Sequence, residues 1–161
     1  PEVSVFFGSE VRVVAEREDY LRIQTGHFIP RPHLQPLKAR YGDPVGVADL
    51  FLGSPYLWGG NSRWGIDCSG LVQIALLSCG RTCPRDSDQQ REALGRELGR
   101  SDTAERGDLV FWDGHVGLMA NDQILLHANA HHMAVAYEPL AEAAARIEAS
   151  GGGQITARKR L

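Results

Sequence analysis

The stretch that most constrains this chain is YLWGGNSRWGIDCSGLVQIALLSCG, residues 56–80. Its second half is a predicted helix with almost no polar face, carrying Leu71, Val72, Ile74, Ala75, Leu76 and Leu77. A helix that is apolar nearly all round has to be buried on most sides, so the fold must be built around it. Asp67 stands at the N-cap position, where a short carboxylate accepts from the first free N–H groups. Gly80 suits the C′ position that closes the helix, and Pro84 prevents its return. Gly59, Gly60 and Gly65 in the approach permit positive φ and close passage of backbone against backbone.

Cys68 therefore falls in the first turn of a central helix. Only the thiolate attacks carbonyls; a free thiol titrates near ~8.5, and a helix N-terminus or a neighbouring imidazolium lowers that value. The same free N–H groups can receive an oxyanion. The plainer reading is a buried apolar cysteine. The Gly-Gly approach, the Asp-Cys-Ser-Gly cap and the histidines downstream favour the chemical one, with a thiolate that alkylates below neutral pH. Of six histidines, His27 and His33 belong to the N-terminal stretch and are expected at the surface. His115 opens a predicted strand directly after Asp113-Gly114, a tight-turn signal, and His127 ends the next strand. Two histidines beside a helix-capping cysteine supply a base and an orienting group for a nucleophile. For one to orient the other they must share a face of the ladder. A two-residue Asn121-Asp122 turn puts them on opposite faces, whereas a three-residue turn that adds Ala120, or a bulge of the same parity, sets them together.

A metal site is the competing use of these residue types. His127, His131 and His132 cluster, and Cys79 and Cys83 lie four apart. The cysteines lack a partner pair at ligand spacing, so no metal is expected. Cys79 and Cys83 read instead as a helix-end and a loop thiol. With three cysteines in 161 residues, at least one thiol stays free.

The rest of the chain falls into two parts. Residues 1–40 read as a β segment and linker: between Val3 and about Leu37, EVRVVAE and YLRIQTG alternate, and prolines at 30, 32 and 36 mark an edge and a linker. Residues 41–161 begin with a helix capped by Asp43 and started by Pro44, followed by the central helix and a shorter one near Ser87. Arg85 reads there as part of a solvated helix start. DLVFW, HVGLMA, ILLHA and MAVAYE then form an antiparallel meander. PLAEAAARIEAS is a late helix, and QITARKRL returns as a last strand. Helices gathered on one side of an antiparallel sheet give an α+β fold. The net charge of −3 gives no pull toward nucleic acid or anionic membrane, and no apolar run reaches the ~20 residues needed to cross a bilayer.

YLWGG at 56–60, DCSGLV at 67–72, GDLVFW at 107–112, HVG at 115–117 and LHA at 126–128 together resemble the ordered motifs of the NlpC/P60 cysteine peptidases. The resemblance runs from about residue 41 to the end, and it implies a papain-like fold with the cysteine helix packed on the sheet. It also implies hydrolysis of γ-D-glutamyl–diamino acid bonds in peptidoglycan stem peptides, without a cofactor. Cys68 is then the nucleophile, His115 the base and acid, and His127 the third polar residue. Tyr56 offers a phenol to an oxyanion or carbonyl, and Asp67 and Ser69 flank the substrate's amino end. The closing stretch and an N-terminal segment that resembles a truncated SH3-like module are most similar to the γ-D-glutamyl-diamino acid endopeptidase branch. That branch prefers stems with a free N-terminal L-alanine. A non-catalytic stem-peptide binding module and a thiol acyltransferase on the same fold are the alternatives. The implied setting is bacterial; no signal peptide is visible, and the cytoplasm is favoured slightly over the periplasm or the exterior.

Overall fold

The computed structural model describes residues 4–99 and 101–161, so Val3, where the N-terminal β reading begins, lies outside it. The chain forms two compact units, Pro1–Arg40 and Tyr41–Leu161.

The smaller unit is a three-stranded antiparallel meander of β1 (Val13–Arg17), β2 (Tyr20–Ile23) and β3 (Phe28–Pro30). Arg17 pairs with Tyr20 across a turn in which Glu18 takes φ 45°. Leu21 and Ile23 are its buried side chains, while every side chain of β1 is exposed. Pro30 ends β3 and leads into a 3-10 turn at Arg31–His33.

The larger unit opens with α1 (Pro44–Asp49), where the Asp43 carboxylate accepts from the Val45 N–H at 3.0 Å. A small hairpin, β4 (Asn61–Ser62) and β5 (Gly65–Ile66), precedes α2 (Cys68–Ser78). Gly60 and Gly65 serve it by closeness: a Cβ on Gly60 would collide with the Gly65 carbonyl, and one on Gly65 with Leu57. Next come α3 (Ser87–Ala93) and β6 (Arg96–Glu97), then β7 (Leu109–Trp112), β8 (His115–Met119), β9 (Ile124–Asn129) and β10 (Ala134–Pro139). The chain closes with α4 (Leu140–Ala149) and β11 (Ala157–Arg160). The six-stranded sheet runs β10-β9-β8-β7-β11-β6, with β7 to β10 in chain order out to one edge and the last strand returning antiparallel between β7 and β6.

The architecture is α+β, with one correction: the helices cover both faces of this sheet. Val110, Trp112, Met119 and Leu125 pack with Ala143 and Ile147 of α4. Side chains alternate along strands, so Leu109, Phe111, Val116, Leu118 and Leu126 face the other way, and all five are fully buried on the side served by α2. Strands as continuously apolar as LVFW and ILLHA need cover on both faces, which is why one-sided packing fails here. Within α2, Leu71, Val72, Ala75 and Leu76 are buried, whereas Leu77 is exposed.

The β8–β9 register pairs Leu118 with Leu126 and Met119 with Leu125, and Ala120 N–H donates to the Ile124 carbonyl at 2.7 Å. The turn is thus three residues, 121–123, one position later than the turn at 120–122 expected from sequence. The Asn121 side chain closes it by accepting from the N–H groups of Gln123 and Ile124. His127 falls opposite Gly117, with His115 two residues away on the same face. Gly117 makes that arrangement possible, because a Cβ there would sit 2.8 Å from Leu125 Cδ1 and 3.1 Å from the His127 Cβ. Gly117→Ala is therefore expected to lower stability by about 1–3 kcal/mol in urea unfolding. An unchanged midpoint would contradict the pairing of Gly117 against His127.

Candidate active site

The site starts at the N-terminus of α2, where Asp67 is the cap and accepts from the Gly70 N–H at 2.7 Å. Its other oxygen accepts from the Gly59 N–H at 2.8 Å. Arg85 grips both oxygens, at 2.9 and 2.7 Å, and also donates to the Ser69 Oγ and the Gly60 carbonyl. Arg85 is thus a half-buried anchor of the cap, not part of a solvated helix start. The capping signal explained Asp67 without a cation, which hid this role. With Asp67 only 7% exposed, its oxygens are already committed to the loop. Gln90 was equally hidden: it is fully buried and donates to the carbonyls of Ser69 and Pro84, tying α3 beneath the same turn.

Cys68 is buried, and its sulfur lies 3.9 Å from the Gly114 carbonyl. Gly114 closes the two-residue turn between β7 and β8, with φ 68°, and His115 follows it, so thiol and imidazole lie at the same end of β8. Burial pushes the Cys68 thiol up, and the Asp67 charge adds to this; the N–H groups of Val116, Ser69 and Cys68 pull the other way. His115 is driven down to about 3 by burial, with His127 and Arg146 adding to the shift and Glu138 opposing it. The free site therefore holds a neutral thiol beside a neutral imidazole. Burial thus works against the resting thiolate expected at a helix terminus.

His115 Nε2 and His127 Nδ1 are 2.9 Å apart, their rings edge-on with centroids at 5.1 Å. His127 is fully buried and lies inside β9, two residues short of the strand end where it was expected. Its Nε2 contacts Glu138 Oε2 at 3.0 Å, and Glu138 in turn takes a two-point contact from Arg146 of α4 at 2.9 and 2.7 Å. Burial brings His127 down to about 4 despite Glu138, so the charge pair here is Glu138 with Arg146. Four residues from three adjacent strands and a helix thus form one row. Glu138 was missed in the sequence because its place depends on the β9–β10 register, which pairs Ala136 with His127 and leaves Glu138 on His127's face.

Tyr56 and His115 line a cavity of about 420 Å³ together with Asn129, His131 and Arg146. Burial raises the Tyr56 phenol, and the charges of Cys68 and Asp67 add to it. Ser69 is buried under Arg85, at 2.9 Å. A larger groove of about 640 Å³ lies between α4 and β11 and contains none of these residues. Among the described residues, His127, His132 and Glu138 form the one group of metal-ligating type, but Glu138 already carries Arg146 and His127. All three cysteines are free.

Residues 53–148 match the NlpC/P60 family. The chain is 31% identical over 142 residues to the γ-D-glutamyl-L-lysine dipeptidyl-peptidase of Bacillus subtilis, covering 79% of this chain and 47% of that protein. It is 36% identical over 110 residues to dipeptidyl-peptidase 6 of Lysinibacillus sphaericus, covering 68% and 40%. The chain thus spans less than half the length of these two relatives. Among solved structures, an NlpC/P60 family protein from Bacillus cereus superposes with TM-score 0.70 at 24% identity, over 97% of this chain and 55% of that one. The peptidoglycan hydrolase RipB of Mycobacterium tuberculosis superposes with TM-score 0.61 at 30% identity, over 73% and 62%.

The ionisation of the site is open to a direct reading. A raised Cys68 thiol forms thiolate only above the ~8.5 of a free thiol, so iodoacetamide labelling of Cys68 should climb on the alkaline side. Cys83, pushed up to about 12 by burial, should label later still. A Cys68 labelling plateau already reached below neutral pH would instead establish a resting thiolate.

Proposed function

The chain belongs to the NlpC/P60 family, and we propose that it is a cysteine peptidase of peptidoglycan stem peptides that cleaves γ-D-glutamyl–diamino acid bonds. The observation that carries this reading is the 2.9 Å bond between His115 and His127 at the end of β8 where the Cys68 thiol sits. A buried helix-start cysteine, a histidine and a second histidine behind it are the parts that thiol acyl chemistry needs.

In this reading the Cys68 sulfur attacks the γ-carbonyl carbon as His115 takes the thiol proton, so the charge pair forms during attack. The tetrahedral oxyanion is received by N–H groups at the start of α2, with the Tyr56 phenol as a further donor from the shared cavity. Collapse breaks the C–N bond, His115 delivers the proton to the leaving amine, and a thioester remains on Cys68. Water then attacks the thioester; His115 takes a water proton and returns it to the sulfur, releasing the γ-carboxylate. His127 holds the His115 ring throughout.

The bond assignment draws on the relative named for γ-D-glutamyl-L-lysine and on the two named dipeptidyl-peptidases. It extends to stems with a free N-terminal L-alanine, whose amino end would approach the Asp67–Ser69 edge. Since both Asp67 oxygens are engaged, Asp67 would act chiefly through the loop it holds. The smaller β unit, a three-stranded antiparallel meander, is proposed as an SH3-like accessory.

The test is incubation with L-Ala-γ-D-Glu-L-Lys and its diaminopimelate counterpart, followed by mass spectrometry. The wild-type chain should release L-Ala-γ-D-Glu, and Cys68→Ala should lose at least about 10³-fold in kcat, as nucleophile deletions do. EDTA should leave the rate unchanged. Full cleavage by Cys68→Ala, or chelator inhibition that zinc reverses, would overturn the reading.

A further inference from the structure

We propose that Glu138 and Arg146 are positioning residues that dictate, through His127, which ring nitrogen of His115 is free to take the Cys68 proton. The inference rests on the peptidase reading for its catalytic consequence, but the proton arrangement itself follows from the hydrogen-bond geometry together with the burial that keeps both rings neutral.

Glu138 is 7% exposed, and both of its oxygens are engaged by Arg146 in a forked contact. That contact holds its carboxyl down to about 2, so near neutral pH it is a carboxylate and can only accept. The His127 nitrogen beside it, Nε2 at 3.0 Å, must then carry a hydrogen. His127 is neutral, so its Nδ1 is a lone pair. The partner of Nδ1 is His115 Nε2 at 2.9 Å, which must therefore be the donor. His115 is neutral as well, and its remaining nitrogen, Nδ1, is left as the lone pair. One proton arrangement satisfies the whole row, and it is set from its far end.

The arrangement serves a base. When Nδ1 of His115 takes the thiol proton, the ring becomes a cation whose Nε2–H already points at a lone pair. That acceptor is in turn polarised by a carboxylate, as in the triads where an acid fixes an imidazole tautomer. Without Glu138 the His127 ring loses its instruction. The Arg146 N–H groups left beside its Nε2 would favour a lone pair there and put the hydrogen on Nδ1. His127 would then donate to His115 Nε2, and His115 would carry its own hydrogen on Nδ1, where it cannot accept one. A residue that merely packed β10 against α4 would have no such effect on the histidines.

Long-range proton–nitrogen correlation NMR of the histidine rings reads the tautomers directly near neutral pH, without substrate. The wild-type chain should show both His115 and His127 with the hydrogen on Nε2. Glu138→Ala should move it to Nδ1 on both, with kcat lower by about 10–100-fold and KM within about 2-fold. Removing Arg146 as well, in Glu138→Ala/Arg146→Ala, should restore part of the Nε2–H population and of kcat. A wild-type His115 with its hydrogen on Nδ1 would overturn the proposal without need of a variant. Unchanged tautomers and kcat in a folded Glu138→Ala would do the same. If the tautomers shift as described but the wild-type chain cleaves no γ-glutamyl peptide, the relay stands and the peptidase reading falls.

Discussion

One carboxylate ties the site together. Asp67 accepts from the backbone at Gly59 and at Gly70 and is gripped by Arg85, so the approach to the hairpin, the start of α2 and the loop into α3 meet on it. The next residue is Cys68. Everything the thiol does depends on this turn keeping its shape, and breaking one side of a largely buried ion pair is costly because it strands the other charge, at about 3–5 kcal/mol. The same carboxylate works against ionisation of the thiol, since its charge adds to burial in raising the Cys68 pKa. Rigid placement of the nucleophile and easy formation of a resting thiolate therefore oppose each other here, and placement wins.

The sheet resolves that conflict from the other side. His115, His127 and Glu138 lie on one face of three neighbouring strands, and Arg146 completes the row from α4. Burial keeps both imidazoles neutral, while Arg146 keeps Glu138 charged. A neutral, oriented base next to a neutral thiol can take the proton as the carbon–sulfur bond forms. Closing a substrate over the site would strengthen each of these contacts by excluding water. The three-residue turn at 121–123 and the bare Cα of Gly117 give the two rings their common face.

Much of this was legible in the chain. The apolar run after Asp67, the cap itself and the glycine after the helix located α2 and Cys68, because local rules decide such features. The order of β7 to β10 also followed from pattern, whereas the parity of the turn between His115 and His127 came from the requirement that one ring orient the other, since Asn121-Asp122 alone suggests a two-residue turn. Its exact placement did not, since moving a three-residue turn by one position preserves parity and only the Asn121 side chain chooses between the two. Arg85, Gln90, Glu138 and Arg146 could not be read from spacing. Each acts across elements, and a charged or amide side chain looks solvated until the register that buries it is known. The opposing push on the Cys68 thiol was hidden for a related reason: a helix terminus is visible in sequence, whereas depth of burial is not.

The central claim is that Cys68 carries the acyl group of a γ-glutamyl substrate, with the proton managed by His115. Acid quench of the chain mixed with L-Ala-γ-D-Glu-L-Lys, followed by peptide mass mapping, tests it most directly. The account predicts an L-alanyl-γ-D-glutamyl adduct on the peptide that contains Cys68, formed early and lost as free dipeptide accumulates. Turnover of the substrate with the acyl group on another residue, or with none on the protein at any time, would contradict it.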